Sequence, residues 1–388
     1  MGVGSALGGL LSEEHVSLAA TASEYARGQI LPLPPPRDDA ACRIEARELL
    51  GRLGADGWLR WAVPDGGSLD HRSCCLIREA LAHASPLADS VFALQCLGTQ
   101  PLRQAGVEAS QQQWLDRARS GEAMAAFAMT EETAGSDVGG IQTRARREGD
   151  GWVLNGSKKF ISNAGLADFY LVLAVTTPDE DRPGLSFFLV PAATDGLRFA
   201  GAQVMSEPHP LGSIEFERCR LPGSALVGDR DAGFRIALGT LDALRSTVAA
   251  AACGMAARAL DEALAHARRR RQFGRPLAEF QLVQQKLAVM ATELDAARLL
   301  TYRAAASADR GLDGVTRQTA MAKWYATEAA QRIIDQAVQI HGGSGVLEDS
   351  PVDRLYRSIR SLRIYEGTTE IQQLVVARDL LRERKPGA

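Results

Sequence analysis

The feature that most constrains the fold is a double change of period along the chain. Up to about residue 123 apolar residues recur with helical spacing. Between about Met124 and Gly228 the spacing shortens to alternation or to brief apolar runs bounded by turn residues, and from about Gly233 the helical period returns and persists almost to the end. Strands confined to the middle of a chain imply separate layers rather than one interleaved sheet. A helical bundle, an inserted β domain and a second helical bundle are therefore expected.

Local signals sharpen this outline. Ser12-Glu13-Glu14 offers an N-cap and first-turn acids for a helix that must stop at Leu31-Pro32-Leu33-Pro34-Pro35-Pro36. Further helices are expected over about 40–53, 73–84 and 88–106. In the middle, Asn155-Gly156 stands between Trp152-Val153-Leu154 and Lys158-Lys159-Phe160-Ile161-Ser162, which predicts a β-hairpin turn because such turns need positive φ. Strands are also expected over 169–175, 185–190 and 213–218. In the last part Val283, Leu287, Met290 and Leu294 form one apolar face of a long helix. Leu241–Arg269 is alanine-rich, suiting close helix packing, and a helix is expected over 371–381.

Composition narrows the function. With 46% hydrophobic and 23% charged residues the chain reads as globular, and 44 basic against 47 acidic residues leave no field for nucleic acid or an anionic membrane surface. Basicity is nearly all arginine, with lysine only at positions 158, 159, 286, 323 and 385. No stretch is read as approaching the roughly 20 apolar residues of a membrane span, and the first residues lack the features of a targeting segment. Six cysteines without a C-x-x-C pair fit a reducing, cytoplasmic location. His15, His71, His83 and His266 show no metal-ligand spacing, so no metal is expected. The five tryptophans read as packing residues. Gly2, Gly4 and Gly8 have the wrong spacing for a dinucleotide loop, and no P-loop occurs. A bound dinucleotide would have to be held in another way.

Several stretches could carry chemistry, each with an ordinary reading beside it. Phe127-Ala128-Met129-Thr130-Glu131-Glu132-Thr133-Ala134-Gly135-Ser136-Asp137 offers backbone N–H groups and hydroxyls to an oxyanion or a ring edge, or is a polar turn. Tyr365-Glu366-Gly367-Thr368-Thr369-Glu370 places a carboxylate on a glycine-flanked turn at a helix start, as a general base or a capping acid. Arg268 to Arg271 end a helix whose negative pole they complement, and Gly342-Gly343 reads as a helix C-cap.

Taken in order, these stretches resemble the acyl-CoA dehydrogenase family. The resemblance rests on A-M-T-E-x-x-A-G-S-D, Phe160-Ile161-Ser162-Asn163, Leu241-Asp242-Ala243-Leu244-Arg245, Arg270-Arg271-Gln272-Phe273-Gly274-Arg275-Pro276 with Gln281, Gln339-Ile340-His341-Gly342-Gly343-Ser344-Gly345 and Ile364-Tyr365-Glu366-Gly367-Thr368, and spans essentially the whole chain. It implies an α+β multidomain fold: an N-terminal α-helical bundle (1–123), a central β-barrel domain (124–230) and a C-terminal four-helix bundle (231–388). It implies FAD, held by Phe127, Met129, Thr130, Gly135, Ser136, Phe160, Ile161 and Ser162 in one subunit. Arg270, Phe273, Gln281, Gln339, Gly342 and Gly343 would come from a neighbour, with Thr368 and Glu370 on the catalytic side. It implies Glu366 as catalytic base, its backbone N–H and a ribityl hydroxyl holding the thioester carbonyl, and Ser136, Asp242, Arg245 and Gly367 on the substrate side. The partners implied are an acyl-CoA, an electron-transfer flavoprotein and further copies of the chain as a dimer or tetramer.

Some relatives carry the base immediately before the arginine of L-D-x-x-R; that position is Leu244 here, which favours Glu366. Departures from the family pattern are Glu132-Thr133, Phe160 in place of tryptophan, Ser206 to Gly212, and Arg357-Ser358-Ile359-Arg360. They leave two alternatives: diverted chemistry, such as a carrier-protein thioester dehydrogenase, a desulfinase or a flavin monooxygenase, or a non-catalytic acyl-CoA or flavin binder. Asp89 and Ser90, near the place where dicarboxylate-specific relatives carry a basic residue, disfavour a dicarboxylate substrate.

Overall fold

The computed structural model of the chain describes residue 7, residues 9–178 and residues 183–383; Gly2, Gly4 and Gly8 lie outside them. The described residues divide into two compact units. One draws on Met1–Pro34, Asp70–Asp89 and Asp242–Ala388, the other on Pro35–Leu69 and Ser90–Leu241.

The N-terminal helices are α1 (Glu13–Tyr25), α2 (Asp39–Ala55), α3 (Leu59–Ala62), α4 (His71–Ala84), α5 (Pro86–Ala105) and α6 (Ala109–Ser120). Ser12 caps α1 reciprocally with His15, and a π turn at Ala26–Ile30 ends the segment before the prolines. Strands β1 (Ala125–Ala128), β2 (Arg144–Glu148), β3 (Gly151–Ser162), β4 (Phe169–Thr177), β5 (Gly184–Pro191), β6 (Leu197–Ala202), β7 (Leu211–Leu221) and β8 (Leu226–Val227) follow. The last part holds α7 (Gly233–Arg269), α8 (Gln281–Asp309), α9 (Val315–His341), α10 (Pro351–Leu362) and α11 (Thr369–Glu383).

Alanine decides how the first unit packs. Small residues of α7, including Ala249, Ala251, Ala252, Ala256 and Ala259, share one buried cluster with Met290, Leu294, Ile333 and Ile334 of α8 and α9. The expected apolar face of α8 is met there, with Val283 and Leu287 partly buried against the same cluster. At Gly254 a Cβ would stand 2.2 Å from the Glu79 carbonyl, so α7 and α4 approach at a distance only glycine permits. By length and composition alone α7 could cross a membrane, which corrects the sequence expectation; 78% of its most apolar stretch is buried in the protein, as in a core helix.

The strands form one eight-stranded mixed sheet in the order β6-β7-β3-β2-β4-β5-β8, with β1 parallel to β4. The predicted hairpin at Asn155-Gly156 is absent, because β3 runs straight through it between β2 and β7. The pair forms a bulge instead. The register against β7 slips between Leu154 and Gly156, Gly156 has φ of 143°, and the Asn155 side chain accepts a hydrogen bond from Arg218 N at 2.8 Å. The actual β2–β3 turn lies at Gly149-Asp150, with Gly149 at φ of 62°. A second slip in β3, between Lys158 and Ile161, accompanies a left-handed Phe160 (φ of 56°) and turns Phe160 outward, leaving it 55% exposed.

A buried ion pair fixes this end of β3. Lys158, fully buried, donates to Glu131 Oε1 at 2.7 Å and to Met129 O at 3.0 Å, while Glu131 also accepts from Gln142 N at 2.7 Å and Thr143 N at 3.0 Å. Burial pulls the ammonium down to about 8 against the attraction of Glu131. Burial pushes the Glu131 carboxyl up, but Lys158 and the bonds from Thr143 and Gln142 outweigh it and hold the group below its ordinary value. Lys158→Met should therefore lower unfolding stability by about 3–5 kcal/mol by stranding a buried carboxylate. Urea unfolding checks this, and a loss below about 1 kcal/mol would contradict it.

Candidate active site

Glu366 sits on the turn between α10 and α11, and that turn is held from several directions. Arg363 Nε (2.8 Å) and Thr369 Oγ1 (2.6 Å) both donate to Glu328 Oε1 of α9, pinning the two ends. Thr369 N donates to Arg363 O at 3.1 Å across the base of the turn. Lys323, fully buried on α9, donates to Gly367 O at 2.7 Å. Gln372 Nε2 donates to Glu366 O at 3.2 Å and Gly367 O at 3.1 Å. Thr368 caps α11 by accepting from Ile371 N at 3.3 Å.

These bonds sustain a strained backbone. Glu366 has φ of 52° and Gly367 φ of 90°. A left-handed residue with a side chain costs about 1–2 kcal/mol, and such costs persist only where surrounding contacts over-determine the conformation. Gly367 is favoured by its φ, and a Cβ there would lie 2.3 Å from Gln372 Nε2 and displace that amide from the turn carbonyls.

The electrostatics single out the carboxylate. Burial raises the Glu366 carboxyl above its ordinary value, and the cations Arg78, Lys323 and Arg245 pull the other way without cancelling it. Among the described residues Glu366 Oε2, Arg245 Nε and Gln372 Oε1 are enclosed and have no hydrogen-bond partner. Arg245, buried on α7, pairs with Asp242, which accepts from Thr316 Oγ1 at 3.1 Å; burial lowers the guanidinium pKa, opposed by Asp242 and Glu366. Arg78 is held by Asp89 (2.7 and 2.9 Å) and Thr247 (2.8 Å). Burial pulls Lys323 down to about 8, with Glu366 opposing. A buried acceptor without a donor costs about 1–3 kcal/mol, so this arrangement favours readiness to take a proton over stability.

The structure thus brings Asp242, Arg245, Glu366, Gly367 and Thr368 into one neighbourhood of the first unit. Glu370 is exposed, and its carboxyl is lowered by its own backbone N–H, by Thr368 and by Arg363 and Arg360, so a capping acid describes it. Lys323, Gln372 and Glu328 were missed by the sequence reading; the one usable signal was the rarity of lysine.

A second set of expected residues lies in the other unit. Lys159 N donates to Thr130 O at 2.9 Å, which ties the turn after β1 to the outward-facing end of β3. Thr130 and Ser162 are partly exposed, and Gly135 and Ser136 are open. The Ile161 side chain is buried in the sheet core, leaving its main chain for any ligand, and Phe127 packs on Phe187 at 5.5 Å. The hydroxyls of Thr130, Ser136 and Ser162 with the exposed Phe160 ring, and the open space at Gly135, fit a planar ring with polar edges such as the expected flavin.

The remaining residues lie on the surface of the first unit. His266, Arg269, Arg270, Arg271, His341, Gly343 and Ser344 line an open recess of about 840 Å³. Among the described residues Arg268, Arg269 and Arg270 form no ion pair, as an anion site requires. Phe273 is 92% exposed with φ of 49°, Gln281 and Gln339 are exposed, and Gly342 caps α9 at φ of 61°.

The chain matches known proteins along most of its length. Residues 12–122, 126–219 and 231–381 match the acyl-CoA dehydrogenase N-terminal, middle and C-terminal domains. The chain is 38% identical over 377 residues to the probable acyl-CoA dehydrogenase fadE25 of Mycobacterium leprae, covering 96% of each. It is similar to butyryl-CoA dehydrogenase from Megasphaera elsdenii (TM-score 0.88, 33% identity, 96% of this chain and 99% of that one). A glutaryl-CoA dehydrogenase from Mycobacterium smegmatis, solved with FADH2, is also similar (TM-score 0.84, 27% identity, 96% and 95% covered).

The raised Glu366 carboxyl sets a sign for stability. A carboxyl raised in the folded state favours folding while protonated, and that contribution is lost as pH rises through the folded value. Glu366→Gln removes the loss, so the variant should melt above wild type at pH 8, with the gap closing as pH falls toward 4.5. Calorimetry across that range measures it, and a variant that melts lower at pH 8 would refute the assignment.

Proposed function

Because the chain belongs to the acyl-CoA dehydrogenase family and is an oxidoreductase acting on an acyl-CoA, we propose that Glu366 abstracts the α-proton in a dehydrogenation giving a trans-2-enoyl-CoA. The observation that carries this is the partnerless Glu366 Oε2 on a clamped, strained turn with a raised pKa. The C–H beside a thioester carbonyl is a weak acid, and an ordinary exposed carboxylate is too weak a base for it. Burial removes the water that would stabilise the carboxylate, and an acceptor that makes no hydrogen bond loses none when it takes the proton. Lys323 and Gln372 hold the carbonyls of the turn, which fixes the backbone from which the carboxylate projects.

The family is one of flavoproteins, and FAD, when bound, would supply the acceptor for the β-hydride. In this reading Thr130, Ser136, Phe160 and Ser162 meet the flavin ring. Arg270, with Phe273, Gln281, Gln339, Gly342 and Gly343, would meet the diphosphate and adenine side in a neighbouring copy. That role needs exposed, unpaired cations, which Arg270 supplies. Asp242 and Arg245 stand on the substrate side, where the unpaired Arg245 Nε offers a donor. An electron-transfer flavoprotein is proposed as the electron acceptor, in the cytoplasm, with a dimer or tetramer as the working form.

The test begins with the purified protein, expected yellow and bleached by one or more of a series of acyl-CoAs; colourless protein that takes up no FAD would defeat the reading. Glu366→Gln should keep its FAD and lose turnover by at least about 10²-fold. Near-normal turnover in that variant would remove Glu366 from the role.

A further inference from the structure

The stretch Ser206 to Gly212, which departs from the family pattern, carries a histidine with an unexplained position. His209 Nε2 lies 2.8 Å from Ser162 Oγ, and its Nδ1 lies 3.2 Å from Ser90 Oγ. The loop is pinned beside the ring. Arg43 donates to Leu211 O at 2.8 Å and Ala164 O at 2.7 Å, and Asn163 N donates to Pro210 O at 2.7 Å. Asn163 itself is left-handed (φ of 64°) and donates through its side chain to Ala125 O at 3.0 Å, which holds the Ser162 end of the contact. The imidazole is therefore wedged between two hydroxyls on three separately anchored pieces of backbone.

A neutral imidazole carries one N–H, and between two hydroxyls this fixes the direction of every bond in the chain. If Nδ1 holds the hydrogen it donates to Ser90, and Nε2 must accept the Ser162 hydroxyl hydrogen; Ser162 then shows only lone pairs outward. If Nε2 holds the hydrogen it donates to Ser162, whose own hydrogen is free to point outward, while Ser90 donates to Nδ1. An imidazolium would permit only the donating arrangement. Burial first, and then the Arg43 guanidinium against a weaker pull from Asp39, push this ring down to about 4, so it is neutral at working pH and both arrangements are open.

We propose that His209 is a positioning residue for Ser162, its tautomer deciding whether that hydroxyl donates or accepts toward the flavin edge. The inference rests on the reading of Ser162 as a flavin-facing residue, and it goes beyond that reading by assigning a role to a loop that the family pattern leaves open. It involves no covalent step. His209 acts through Ser162 alone, so its effect should vanish where Ser162 has no hydroxyl.

Two measurements test it. Nitrogen-15 NMR of histidine-labelled protein reads the ring without reference to flavin, the His209 signals being assigned by their loss in His209→Gln. The ring should stay neutral from pH 8 to pH 5.5, and Ser162→Ala should move its Nε2 resonance; titration near the ordinary histidine value, or no response to Ser162→Ala, overturns the proposal. In the FAD-loaded protein, His209→Ala should shift the visible flavin band and slow reduction by acyl-CoA about tenfold with KM within about twofold, the scale of one hydrogen bond. His209→Gln, which can both donate and accept, should recover most of the rate, and His209→Ala should add nothing in a Ser162→Ala background. Additive effects of the two substitutions would refute it. Failure to bind FAD would count against the proposed function, while the NMR result would still judge His209.

Discussion

The turn that displays Glu366 is anchored in the helical core by the bond from buried Lys323 to the Gly367 carbonyl. An ammonium in the helical core needs an acceptor, and the acceptor it finds is the backbone of the turn that displays Glu366. That contact, with Gln372 on the two adjacent carbonyls and Glu328 across both ends, holds two consecutive left-handed residues in place. The cost of that conformation is met by α9 and α11, and the result is a carboxylate with an oxygen facing no donor.

The β unit repeats the logic with the other buried lysine. Lys158 is fully enclosed, and its bonds to Glu131 and the Met129 carbonyl set the path of the chain just before Thr130. Glu131 in turn holds the Gln142 and Thr143 amides, so the segment expected to meet the flavin is braced from beneath by an ion pair. In both units a compact charged group inside the protein fixes the backbone of a candidate site residue. Lysine, a compact point charge, stands at both sites in a chain whose basicity is otherwise almost all arginine.

Period, caps and prolines made most of the architecture legible. The helical stretches, the strand-rich middle and the stop before Pro32 follow from local rules that act over a few residues, and Glu366 was singled out as a candidate through a motif that is contiguous in the chain. The reading failed where long-range pairing decides. Asn155-Gly156 has the local freedom to turn, but β2 and β7 flank it and convert that freedom into a bulge. Lys323 lies 44 residues from the carbonyl it holds and His209 lies 47 from Ser162, so neither contact leaves a local pattern.

The proposed role of Glu366 is that of a base made strong by burial and by the lack of a donor among the described residues. It is tested most directly by the pH dependence of α-hydrogen exchange between bound acyl-CoA and deuterated water. Exchange should rise with a midpoint above the ordinary carboxylate range and be abolished in Glu366→Gln. Exchange that persists in that variant, or that rises at the value of an exposed glutamate, would contradict the account.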